Sequence, residues 1–245
     1  MMHRCPQCGR EEEIIGKGDH YCLVCGVHMI RASGYKELWM SPCTVVARMQ
    51  AIIKKHGYET AANGGRFKHE REAWTTGLYA LGLSLMNEQE YWLEVETVDQ
   101  TPDTRVHRID QSSGHNVIMT QDVEVVDWVD HVDEMMTVVR QKCAKAYPPN
   151  FCLLVLVRND RQIALDKVVE EISMLTVPFA EIWLIGRSTE ELAIMVRLFP
   201  GFLRFAYKLH DACERTKTQR AFIQKQKRGS STEFRDLGIC YLPIP

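Results

Sequence analysis

The run Tyr91-Trp-Leu-Glu-Val-Glu-Thr-Val98, followed by Thr101-Pro-Asp103, Arg105-Val-His-Arg-Ile109 and Asn116-Val-Ile-Met-Thr-Gln-Asp-Val-Glu-Val-Val126, decides how the chain is read. Three β-rich runs are separated by turn residues, the pattern of a three-stranded meander. Asp103 stands at the mouth of the second strand. On the third, the strand period puts Asp122, Glu124 and Val126 on one face and Gln121, Val123 and Val125 on the other. A buried valine face opposite a face with two acids puts those acids at a rim or cleft. Carboxylates from neighbouring strands can share a hard divalent cation, which takes several oxygen ligands at once.

Working outward, a helix is expected over 66–87, with Trp74, Leu78, Leu81 and Leu85 as its apolar stripe. After the meander, the spacing predicts a helix over 129–147, ended by Pro148-Pro149. The continuous apolar run Phe151–Val157 reads as a buried central strand. A helix at 163–175 and a strand at 180–185 follow. Ser188-Thr-Glu-Glu then looks like a capping box opening a helix to Leu198. Alternating strands and helices give an α/β layered fold with a mixed sheet.

The order helix, three strands, helix, strand resembles the PD-(D/E)xK nuclease-like superfamily over roughly residues 66–186. Pro102-Asp103 and Asp122-Val-Glu124 carry the likeness, with twenty residues between Asp103 and Glu124. The resemblance implies an α-β-β-β-α-β nuclease-like core. It also implies a Mg²⁺ or Mn²⁺ site for phosphodiester cleavage, with Asp103 and Glu124 as ligands and Asp122 in support. An acid on the helix before the meander completes such a site, here Glu70 or Glu72. These two point about 200° apart on a helix, so at most one faces the site. The pattern's lysine position holds Val126, a departure that bears on catalysis and leaves the fold untouched. Lys142 and Lys145 lie roughly 20 Å along the next helix from its start and are expected not to reach. Lys68, Arg71, Arg105 and His107 are the nearer cationic candidates, and His107 reads more simply as a half-buried strand residue.

At the N-terminus, Cys5-Pro-Gln-Cys8-Gly and Cys22-Leu-Val-Cys25-Gly are two knuckles thirteen residues apart. Each turn offers two thiolates to one ion, and its glycine lets backbone amides approach the sulfurs. Four sulfurs suit tetrahedral Zn²⁺ with no open position, and iron is the chemical rival. The stretch resembles a zinc ribbon. With nine cysteines in all, this paired spacing argues for metal and reduced thiols rather than a disulfide framework.

The net charge of −2 excludes a polycation that binds nucleic acid by bulk charge. No apolar run approaches the ~20 residues of a membrane span, so no membrane association is expected. The opening residues lack a signal peptide's apolar core, and a cytoplasmic location is the expectation. From Glu88 to Glu134 there are thirteen acidic and two basic residues; from Arg215 to Arg228 there are six basic and none acidic. The second run is a candidate phosphate-contacting arm. A helix is expected within 202–213, and an edge strand after Phe234.

The expected organisation is a zinc ribbon at 1–33, a linker helix in 34–65 opened by Ser41-Pro42, the α/β core at 66–200, and an extension with the basic arm at 201–245. Two functions follow. One is a divalent-metal-dependent nuclease with structural zinc. The other is a catalytically lapsed version that binds nucleic acid or a protein partner through the ribbon and the arm.

Overall fold

A computed structural model of the chain describes residues 2–4, 11–13, 30–31, 37–95, 102–110, 117–129, 134–158, 162–187, 191–216, 222–228 and 231–236. Near the N-terminus, β1 (Met2–Arg4), β2 (Glu11–Glu13) and β3 (Ile30–Arg31) form a small antiparallel sheet in the order β2-β1-β3. Arg4 is paired with both Glu11 and Ile30. Cys5, Cys8, Cys22 and Cys25 lie outside the described residues, between these strands in sequence.

The chain then enters a much larger sheet at β4 (Glu37–Met40) and leaves it for α1 (Pro42–His56). The caps of α1 are those expected from sequence. Ser41 Oγ accepts from the Thr44 amide at 3.3 Å, and Pro42 takes the first helical position. Gly57 ends the helix at φ 82°, a conformation that costs glycine little. The helix α2 (Tyr58–Asn63) and a 3₁₀ turn at Gly65–Phe67 occupy the expected hinge, and α3 (Lys68–Asn87) follows.

The meander is β5 (Tyr91–Val95), β6 (Thr104–Asp110) and β7 (Val117–Trp128), antiparallel throughout. Next come α4 (Met135–Cys143), β8 (Phe151–Val157), α5 (Leu165–Ser173) and β9 (Glu181–Arg187), with β7, β8 and β9 mutually parallel. The described chain closes with β10 (Leu192–Phe199), β11 (Leu203–Lys208), α6 (Leu209–Arg215), β12 (Phe222–Arg228) and β13 (Ser231–Asp236). The mixed sheet has ten strands in the order β11-β10-β9-β8-β7-β6-β5-β4-β12-β13. Residues 34–65, expected as a linker helix, thus supply a strand of this sheet. Residues 201–245, expected as an extension, supply three more.

Helices cover both faces. One apolar cluster joins α1, α3 and α6 to the sheet through Val123, Val125, Cys152 and Leu154. The other joins α4 and α5 to it through Phe151, Leu153, Val155 and Trp128. Successive residues of β8 therefore feed opposite layers. This is why its sequence is apolar without alternation. The helix α3 is buried almost continuously from Arg71 to Ser84, more than a single stripe requires, because α1 and α6 pack on its outer side.

Three helix expectations are corrected. The helix expected over 129–147 is confined to Met135–Cys143, since Trp128 is the buried last residue of β7 and Tyr147 lies beyond α4. The helix expected from Ser188 to Leu198 is the strand β10. Ala193 and Met195 enter one core cluster while Ile194, Val196 and Leu198 enter the other. That period of two is a strand's, and pairing with β9 and β11 overrides the capping signal. The stretch expected as a helix over 202–213 begins as β11 and becomes helical only at Leu209. The second half of the basic run is likewise no free arm: Phe222–Arg228 pairs with β4 and β13. Among the described residues no helix is long and apolar enough to cross a membrane.

Candidate active site

Register brings the two principal acids together. Thr104 pairs with Val123, so continuing one step sets Asp103 opposite Glu124. Asp103 Oδ2 accepts a hydrogen bond from the Val125 amide at 2.8 Å, which fixes the carboxylate against β7. Both side chains line a cavity of about 330 Å³ with Lys68, Arg71, Glu72, Val125, Val126, Asp127 and Lys142. Its walls are the first turns of α3, the residue preceding β6, the second half of β7 and the end of α4.

Four carboxylates and three cationic side chains meet there. Lys142 Nζ donates to Glu124 Oε1 in a largely buried ion pair, with side chains 18% and 9% exposed. The other carboxylate oxygen, Glu124 Oε2, is buried and has no hydrogen-bond partner. Leaving such an atom unsatisfied is costly and asks for an explanation at this position. Glu72 is approached by Lys68 at 3.4 Å and His69 at 3.3 Å. Asp127 accepts from Arg158 at 2.6 Å and lies 3.6 Å from Arg71. Arg71 also donates to the Gly64 carbonyl at 2.8 Å, which joins the turn before α3 to the cavity wall.

The crowding shifts proton affinities. Burial, then the Glu72 carboxylate, raises Asp103 to about 7, with Glu124 adding to the rise. The Val125 amide and Lys142 oppose it. Burial also raises Glu72, against Lys68 and His69. Tyr147, following α4, is raised by burial and then by Glu124. Repulsion among carboxylates short of cations is the condition that a divalent ion relieves.

Of the acids singled out from sequence, Asp103, Glu124 and Glu72 share the cavity. Asp122 and Glu70 do not line it. Asp122 is held by Arg105 Nε at 2.9 Å and Asn150 at 3.0 Å, and Glu70 by Arg48 at 3.2 Å. His107 is buried, stacked on Trp39 at 4.2 Å and bonded to Glu94 at 3.1 Å and Thr120 at 3.0 Å. Its environment is that of a packed strand histidine.

The expectation that Lys142 cannot reach the site is corrected. A crossover helix between parallel strands runs back along the sheet, so the end of α4 meets Glu124. The signal was present: Lys142 is at i+4 from Val138 and i+3 from Val139, both buried, so it sits on the core-facing stripe. Arg71 and Lys68, named as nearer cations, do line the cavity. Asp127 was not anticipated.

Among the described residues, no three His, Cys, Asp or Glu side chains converge closely enough to cage a metal ion. The three acids surround the cavity with their lysine partners between them. The chemistry of the donor set still fits a hard divalent cation. It offers oxygen donors from separate elements, an orphaned carboxylate oxygen, and charge repulsion to be neutralised. Comparison of the chain with protein-family models, with curated proteins and with solved structures returns no match.

Proposed function

We propose that the chain is a divalent-metal-dependent nuclease of the PD-(D/E)xK-like kind, acting on phosphodiester bonds of nucleic acid. The observation that carries the reading is Glu124: one oxygen on Lys142, the other buried and unsatisfied, beside Asp103. Asp103 and Glu124 would hold Mg²⁺ or Mn²⁺, with Glu72 completing the donor set. The cation supplies Lewis acidity toward a phosphate oxygen and lowers the pKa of an attacking water. Lys142 stands in for the cationic side chain absent at Val126. It orients Glu124 and puts positive charge where a pentavalent phosphate accumulates negative charge. Lys68 and Arg71, at the entrance of α3, bind the phosphate and so set its position.

In the same proposal, residues 1–33 are a zinc ribbon with Cys5, Cys8, Cys22 and Cys25 as ligands. The pairing of β1 with β2 on either side of residues 5–10 supports it, since a knuckle suits the joint of a hairpin. The ribbon and the basic strand β12 are the nucleic-acid contacts, and a reducing, cytoplasmic setting keeps the thiols available for zinc.

The test is supercoiled plasmid with Mn²⁺. Nicking by the wild type that is abolished by EDTA and by Asp103→Ala supports the reading; equal traces for wild type and variant overturn it. A lapsed site that binds nucleic acid or a protein partner has one observation in its favour. Lys142 and Lys68 already partner Glu124 and Glu72, as in a site that no longer needs an ion. Plasmid retention without nicking, unaffected by Asp103→Ala, would select that reading.

A further inference from the structure

Cys43 and Cys213 lie outside the cavity, and the proposed function uses neither. They come from distant parts of the chain, the second residue of α1 and the fifth of α6. Both are free thiols, neither fully buried nor fully exposed, and both pack against the core cluster that holds α1, α3 and α6. One hydroxyl reaches both residues: Thr216 Oγ1 is 3.0 Å from Cys43 Sγ and 3.4 Å from the Cys213 carbonyl oxygen. We propose that Cys43 and Cys213 are a redox-responsive thiol pair, in which peroxide oxidation of Cys43 is captured by Cys213 as a disulfide tying α1 to α6.

The roles differ because the surroundings differ. Cys43 stands in the first turn of a fifteen-residue helix, where unpaired amides and the helix dipole favour a thiolate. Cys213 donates a hydrogen bond to it, holding Cys43 below the ordinary thiol range against the opposing effect of burial. The same bond, together with burial, pushes Cys213 far up, so it stays protonated. Cys43 is therefore the nucleophile and Cys213 the resolving thiol.

The chemistry balances. The Cys43 thiolate attacks one oxygen of hydrogen peroxide, the O–O bond breaks, and the departing hydroxide takes up a proton as water. Cys43 is left as a sulfenic acid. Cys213 sulfur then attacks the Cys43 sulfur; the S–S bond forms, the S–O bond breaks, and the hydroxide leaves as water with the Cys213 proton. The two sulfurs lose two electrons and the peroxide gains them. The bridge closes a loop containing Glu72, Asp103, Glu124 and Lys142. Closing so long a loop restricts the unfolded chain strongly and so raises the unfolding temperature.

The experiment treats zinc-replete full-length protein with hydrogen peroxide, alkylates the remaining thiols and maps cysteine peptides by mass spectrometry. Cys143, half-buried on α4 and shifted upward by burial, is the internal comparison. The expected result is a Cys43–Cys213 linked peptide, released by dithiothreitol and formed at least about tenfold faster than Cys143 is oxidised. In Cys213→Ser the Cys43 sulfenic acid accumulates and is trapped by dimedone. In Cys43→Ser, Cys213 remains alkylatable. Both thiols alkylated in the oxidised wild type, or Cys43 oxidised no faster than Cys143, would overturn the proposal without need of any variant. Plasmid nicking by the reduced protein reads the cavity separately, so the two proposals fail independently.

Discussion

The Lys142 ammonium on α4 rests against the Glu124 carboxylate on β7, while Val126, two residues further along the same strand face, joins the apolar layer under α4 and α5. One face of β7 therefore changes from ionic to apolar within a single strand repeat. The positive charge comes from the helix that covers that face. A lysine at residue 126 would have to displace packed aliphatic surface; Lys142 enters from the rim.

Removing that lysine exposes the dependence. In Lys142→Met, Glu124 loses its partner while staying buried. Urea unfolding should show a loss of about 3 kcal/mol, the usual cost of stranding one member of a buried pair. Nicking should fall by at least about a hundredfold. Stability that recovers on adding Mn²⁺ while nicking does not would separate the electrostatic role from the catalytic one.

Asp103 gives a pH signature. Its folded-state value, about 7, is raised above the ordinary 3.8. Below the lower value both states are protonated and nothing is lost. As pH rises through the interval the unfolded chain ionises first, and stability falls until the folded carboxyl has titrated. Asp103→Asn keeps an acceptor for the Val125 amide and removes the titration. The variant should match wild type near pH 4 and exceed it by roughly 2 kcal/mol near pH 8, in metal-free buffer. Equal stability of the two proteins near pH 8 would contradict the crowding described for the cavity.

Three acids that look alike in sequence should behave differently. Glu72→Gln should cut metal-dependent nicking by at least about tenfold. Glu70→Gln and Asp122→Asn, whose partners are Arg48 and Arg105, should leave it within about threefold, with small stability losses typical of partly exposed pairs. The comparison is a single set of rates at saturating Mn²⁺.

The ribbon is independent of the cavity. Elemental analysis should find one zinc per chain, lost in Cys8→Ser, because a structural four-thiolate site does not hold with three. Metal content unchanged by the substitution would refute the ligand set.

Much of this was legible in the sequence because local signals agreed with tertiary demands. The caps Ser41, Pro42 and Gly57 bound α1, the apolar run of β8 marked a strand buried on both faces, and the meander kept its register. The helix read into Ser188–Leu198 failed where a local capping pattern met a period-two burial that only strand pairing reveals. Asp103, Glu124 and Glu72 were readable from spacing. Lys142 was missed because distance along a helix axis was measured from the wrong end; the crossover returns that residue to β7. The discarding of Asp122 and Glu70 required their partners, Arg105 and Arg48, which no spacing announces.

The claim at the centre is that Asp103 and Glu124 together bind a divalent cation. Manganese binding followed by electron paramagnetic resonance on zinc-replete protein tests it most directly. The wild type should remove free Mn²⁺ from solution at a site that Asp103→Asn and Glu124→Gln each weaken by at least about tenfold. Mn²⁺ left free by the wild type, or bound equally by all three proteins, would contradict it.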